Sequence, residues 1–210
     1  KAPYVSEMAR AQMEERFGSE AYILGYDVFT TIDSKLQEAA QKSLKSNIEK
    51  YDIRHGYRGA EAKINYNELL NSDFEYDLEV SKKNISKYLR SFYDINNNIP
   101  SVVLNVDEKK IKVYSKDNKL IEINLEEMIM KNQYLDVNYK KRIRSFKTIL
   151  SIGDVVRVKK INNKWFLSQI PNVNGALVSI NSNSGAVSVL SGGYDFRISK
   201  FNRVTQAKRQ

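Results

Sequence analysis

The sequence predicts a mixed α+β chain in which a small, strongly curved antiparallel β-barrel is inserted into an α/β flank. Three observations carry that expectation. Two apolar stripes at helical spacing lie near the N-terminus, five short strand-like runs fill the centre, and one apolar hairpin pattern lies near the C-terminus.

The first region runs from Lys1 to Gly59. Val5, Met8, Ala9, Met13 and Phe17 recur on one helical face, with Ser6 as the expected cap and Gly18 as the stop. Ala21 to Ile32 is rich in β-branched and aromatic residues, so a strand is expected there. Asp33 then caps a second helix, whose stripe is Leu36, Ala40, Leu44 and Ile48. Arg54 to Gly59 carries two glycines among charged and aromatic residues, which marks a turn-rich domain boundary.

The second region spans Ala60 to Pro171. Asp73 to Val80 alternates acidic and apolar residues and reads as a strand. Ser81 is placed to cap a short helix that puts Ile85, Tyr88, Leu89 and Phe92 on one side. Five strands are expected at Ser101–Val106, Lys110–Tyr114, Leu120–Ile123, Asp154–Lys159 and Lys164–Gln169, with Glu126–Lys147 as a partly helical excursion. That pattern fits a barrel of the oligonucleotide/oligosaccharide-binding (OB) kind.

The third region is Asn172 to Gln210. Ala176–Ile180 and Ala186–Leu190 form a hairpin around Asn181–Gly185, and Gly192-Gly193 ends it. A two-stranded ribbon is marginal alone, so the flank of two helices, a strand and this hairpin reads as truncated.

Composition narrows the chemistry. With 41% hydrophobic and 28% charged residues the chain is globular, and no run approaches the roughly 20 apolar residues of a membrane span. Cysteine is absent and His55 is the only histidine, which leaves no ground for a thiolate metal site or a His-based nucleophile pair. No cofactor is expected. The net charge of +9 is concentrated between Val137 and Lys164, where nine basic residues face Asp154 alone. Lys140, Lys141, Arg142, Arg144, Lys147, Arg157, Lys159 and Lys160 make the candidate patch for an anionic partner.

Both ends of the chain resemble class A penicillin-binding proteins of the 1A type. At the start the resemblance rests on Tyr4, Phe17-Gly18, Thr30-Thr31-Ile32-Asp33, Leu36-Gln37 and Arg54-His55-Gly56-Tyr57-Arg58-Gly59. At the end it rests on Gln169-Ile170-Pro171, Gly175 to Ile180, Ser184 to Val187, Gly192-Gly193-Tyr194-Asp195-Phe196 and Ser199 to Gln210. The resemblance implies an OB-like domain inserted at 60–171 into the N-terminal flank of a transpeptidase domain. The flank would be residues 1–59 together with the first hairpin and its lead-in at 172–210. It singles out Gly56, Tyr57, Arg58, Gly59, Gly192, Gly193, Asp195, Phe196, Phe201, Asn202, Arg203, Gln206 and Arg209 as motif residues, and it places the nucleophilic serine just past Gln210.

No serine here has a lysine three residues on, and no Lys-Thr-Gly occurs, so the acylating pair of that family is missing from this stretch. The resemblance therefore implies a non-catalytic accessory or docking region of a bifunctional peptidoglycan synthase on the periplasmic face of the inner membrane. Its partners would be the rest of the synthase in cis and, at the OB-like domain, an envelope protein, a lipoprotein activator or murein strands. A free-standing single-stranded nucleic-acid-binding barrel is the alternative; Tyr114, Tyr134, Tyr139, Phe146 and Trp165 lie among the basic residues, but nucleic acid ranks last for an exported parent.

Overall fold

A computed structural model describes residues 2–65, 67, 78–135 and 140–208. In chain order the elements are α1 (Pro3–Phe17), α2 (Ser34–His55), β1 (Ala62–Lys63), α3 (Leu78–Leu89), β2 (Asn98–Val106), β3 (Lys110–Ser115) and β4 (Leu120–Asn124). There follow β5 (Asn132–Tyr134), β6 (Lys140–Arg142), β7 (Asp154–Ile161), β8 (Lys164–Ser168), β9 (Leu177–Ile180) and β10 (Val187–Ser191). They divide between two compact units, residues 51–171 and residues 1–50 with 172–210.

The unit 51–171 is built on an antiparallel sheet in the order β1-β7-β2-β3-β4, with β8 also on β7. All five expected strands are present. Strand alternation explains why they are apolar on consecutive residues. Val103, Val113, Val156 and Val158 point into one core, while Val102, Tyr114 and Val155 point to the other face and are covered by Ile85 and Leu89 of α3. Both faces are buried, so the strands show pairs of apolar residues instead of a clean alternation. A register shift between Val103 and Asn105 bends β2. Asn162 and Asn163 both take positive φ, 47° and 63°, which gives the tight primed turn that joins β7 to β8.

The sheet curls but is not a closed barrel. Beside β8 the chain that follows β4 contributes an isolated parallel bridge, Met128 to Leu167, with Ile129 N–H bonded to the Leu167 carbonyl at 3.0 Å, in place of a β4–β8 ladder. The excursion, expected to be partly helical, is helical only as 3₁₀ turns among the described residues. It contains two 3₁₀ turns, Leu125–Glu127 and Phe146–Thr148, and the β5–β6 ribbon. Met128 and Met130 are both buried, a two-residue spacing that only extended backbone satisfies. Ser81 is not a cap: it lies inside α3 and is fully buried. The expected strand Asp73–Val80 falls on residues outside those described up to position 77, and from Leu78 the backbone is helical.

In the unit 1–50 with 172–210, Pro3 opens α1 in the first turn, where its missing N–H costs nothing, and Gly18 at φ 56° ends it. Ser6 sits within the helix and turns its hydroxyl back to the Ala2 carbonyl, so it does not act as the expected cap. Asp33 does cap α2, its carboxylate accepting from Lys35 and Leu36 N–H at 2.9 Å each. The β9–β10 hairpin forms as expected, with Asn181 accepting from the loop N–H groups of Asn183 and Ser184.

The strand expected over Ala21–Ile32 does not form: a 3₁₀ turn at Gly18–Tyr22 is followed by irregular chain. The reason lies on β10. The buried Gln37 amide donates to the Leu190 carbonyl and accepts from the Leu190 N–H, both at 2.9 Å, so a side chain occupies the edge that a strand would use. Only Asp33 N–H to Ser188 O and the Thr31 hydroxyl to Val187 O remain for the segment. Phe29 is left 93% exposed.

Candidate functional site

The motif residues gather into two clusters, one in each unit. In the unit 51–171 the sequence Gly56-Tyr57-Arg58-Gly59 leaves the end of α2 and closes a clasp. The Arg58 guanidinium donates to both Asp52 carboxylate oxygens, at 2.6 and 3.2 Å, and to the Ile170 carbonyl at 2.7 Å. Gln169 completes the ring. Its amide donates to Asp52 at 2.7 Å and to the Gly56 carbonyl at 3.0 Å, and it accepts from the Arg58 N–H at 3.0 Å. The two ends of this unit are thereby tied together.

Gly56 is required by close approach as well as by φ 97°. A Cβ there would stand 2.7 Å from the Asn132 carbonyl, which accepts the Tyr57 N–H. Tyr57 is fully buried in the core, and its hydroxyl has no hydrogen-bond partner among the described residues. Burial, and then the charge of Asp154, push its pKa up, so it stays a neutral phenol. Gly59 takes φ 98° in an open turn.

Gly192 and Gly193 sit at the second cluster, after β10. A Cβ on Gly192 would strike the Asn202 side-chain oxygen and approach the Tyr4 ring to 2.9 Å, and one on Gly193 would strike the Tyr4 hydroxyl. Asn202 is held from several sides: its N–H donates to Gln206 at 2.7 Å, its side-chain oxygen accepts from Val204 N–H at 3.1 Å, and its amide reaches the Met8 sulfur. Arg203 donates to the Phe201 and Gly192 carbonyls, at 3.2 and 3.5 Å, and lies over the Phe201 ring. Tyr4 donates to the Ser199 carbonyl at 2.8 Å and meets Phe196 edge-on, with centroids 5.0 Å apart. Burial raises the Tyr4 pKa against the opposing charge of Arg203, which keeps the phenol a donor. Arg209 lies outside the described residues.

Asp195 is the charged member of this cluster. Burial works to raise its pKa, but the Arg197 side chain at 3.0 Å, the Arg197 N–H and the Lys45 ammonium hold it below the usual carboxylate value. A folded pKa below the unfolded one means that the stabilisation is full above the unfolded value, about 3.9, and is lost as pH falls through the folded value. Asp195→Asn is therefore expected to flatten the acid side of the stability profile, read from urea midpoints between about pH 5 and 2. An unchanged slope would count against the pairing.

Beside the cluster opens a cleft of about 890 Å³, lined in part by Tyr4, Arg10, Lys45, Asp195 and Arg197. His55 stacks on Tyr51 at 4.2 Å and bonds the Tyr51 carbonyl at 2.8 Å. Among the described residues no group of acidic and histidine side chains could hold a metal ion, and no helix is long and apolar enough to cross a membrane.

The basic residues differ in exposure and in the strands that carry them. Lys140, Lys141 and Arg142 are exposed along β6, with Arg144 and Lys147 exposed after it. Lys160 is exposed on a different sheet, 5.9 Å from the Trp165 ring centroid, and Lys159 beside it is half-buried. Arg157 does not belong to the patch. It is 4% exposed, pairs with Glu61 at 2.5 and 2.7 Å and donates to the Tyr93 carbonyl at 2.6 Å, because its place on β7 turns it to the covered face.

Sequence reasoning assigned no site role to Asp52, Gln169, Tyr4 or Gln37. One signal was available: Asp52 is a carboxylate in the last turn of α2, where the helix dipole disfavours an anion unless it is paired.

Residues 57–173 match a family model described as the penicillin-binding protein OB-like domain. The chain is 36% identical over 210 residues, its whole length, to penicillin-binding protein 1A of Escherichia coli (strain K12), of which that stretch is 24%. It is 37% identical over 217 residues to penicillin-binding protein 1A of Vibrio cholerae, again over the whole chain and 25% of the relative. The crystal structure of penicillin-binding protein 1A from Haemophilus influenzae aligns with 98% of this chain and 28% of its own, with a TM-score of 0.74 and 32% identity. The chain thus spans about a quarter of the length of the curated relatives it matches. On the family-model match over residues 57–173 and the whole-chain likeness to these relatives, the chain belongs to the penicillin-binding protein family, with that family's OB-like domain at residues 57–173.

Proposed function

We propose that this chain is a non-catalytic accessory and docking region of a bifunctional peptidoglycan synthase, whose parent polymerises murein and cross-links it by D,D-transpeptidation. The observation that carries the reading is the similarity along the whole chain to 1A-type relatives, in a stretch without a Ser-x-x-Lys or a Lys-Thr-Gly. Residues 60–171 then serve as the inserted OB-like domain, and residues 1–59 and 172–210 as the transpeptidase flank. The exposed cations of β6 face an envelope protein, a lipoprotein activator or murein, and the parent works on the periplasmic face of the inner membrane.

The first test is chemical. Incubated with a fluorescent β-lactam and denatured, the chain should carry no covalent label, because no serine has the lysine that would activate it. A stoichiometric adduct would overturn the reading.

A further inference from the structure

A cavity of about 430 Å³ opens on the unit 51–171, where the β2–β3 turn, the 3₁₀ turn after β4 and β6 come together. Among the described residues Lys109, Lys131 and Arg142 line it with one carboxylate, Glu126, and the apolar side chains of Leu125 and Ile143. Two of the cations are held in place by the backbone: Lys109 donates to the Arg144 carbonyl at 3.2 Å and Lys131 to the Glu126 carbonyl at 2.6 Å. Arg142 is fixed through its strand, opposite Asn132 in the ribbon register, with Ile143 N–H bonded to Lys131 O at 3.0 Å. Its guanidinium makes no hydrogen bond or ion pair among the described residues.

We propose that this cavity receives a carboxylate side chain from an acidic segment of a partner protein, with Arg142 as the bidentate fork and Lys109 and Lys131 as flanking charges. The proposal rests on the docking reading above and gives it a place and a chemistry. Arginine matches a carboxylate through two parallel donors, and here those donors are unused. Leu125 and Ile143 suit the methylenes of a glutamate stem. Among its described residues the lining has no aromatic ring on which a base could stack, which single-stranded nucleic acid needs. The site differs from the patch read in the sequence, because it recruits Lys109 and Lys131 and leaves out Lys159 and Lys160.

The test is fluorescence anisotropy of a labelled hexaglutamate peptide with the full chain in 50 mM salt, against variants of equal charge change. Arg142→Gln should weaken binding about tenfold or more and Lys131→Gln several-fold, while Lys160→Gln and Lys164→Gln change it less than twofold. Arg142 is exposed on a short ribbon, so its variant should melt with the parent chain. Equal weakening by Arg142→Gln and Lys160→Gln would mean general charge attraction; the cavity would then be ruled out while the docking reading stands. Displacement of the peptide by an oligothymidylate of equal charge would overturn the acidic-protein assignment. If the peptide does not bind at all, the cavity proposal fails while the docking reading stands.

Discussion

Replacing Arg58 with alanine is expected to destabilise the unit 51–171 by about 3–4 kcal/mol. Asp52 keeps 4% of its side-chain surface exposed, and Arg58 supplies both of its strongest charged contacts. Without the guanidinium the buried carboxylate loses its two-pronged charged partner and keeps the Gln169 amide, and the Ile170 carbonyl loses the Arg58 donor. Arg58→Lys restores charge but not the two-pronged geometry, so it should recover only part of the loss. Trp165 is the sole tryptophan and lies in this unit, so its fluorescence in a denaturant titration reads the effect directly. A loss below about 1 kcal/mol would show that the clasp is an ordinary surface pair.

Gly192→Ala should cost about 2–3 kcal/mol in the unit 1–50 with 172–210, through overpacking and not through backbone strain. Most side chains can yield a few tenths of an ångström to a new methyl group. Asn202 cannot, because Gln206, Val204 and Met8 hold it from three directions, and on the other side the Tyr4 ring is braced by Phe196. Faster amide exchange at Arg203 and Gln206, whose N–H groups bond Gly192 O and Asn202 O, is the expected signature. Unchanged protection there would refute the close-packing argument.

Local chemistry made much of this fold readable. The five strands of the curled sheet, the helix capped by Asp33 and the hairpin around Asn181 each carry their own signal in period, cap or turn residue. The segment from Ala21 to Ile32 carried an equally good strand signal and failed, because a strand needs an edge to pair with and Gln37 occupies the available one. The helical part of the excursion after β4 is held to 3₁₀ turns among the described residues for a related reason: burial of Met128 and Met130 two residues apart overrides local helical preference.

The same division holds for the sites. By itself the sequence determined the family resemblance, the motif residues and the excess of positive charge, since composition and residue order are properties of the chain alone. It could not tell that Arg157 is buried on Glu61 while Arg142 is exposed, nor that Asp52, Arg58 and Gln169 meet across more than a hundred residues. Those outcomes depend on which face of a strand is covered and which distant carbonyl lies within 3 Å. Only the packed tertiary structure decides that, because burial and hydrogen-bond reach are set by the neighbours that folding brings together.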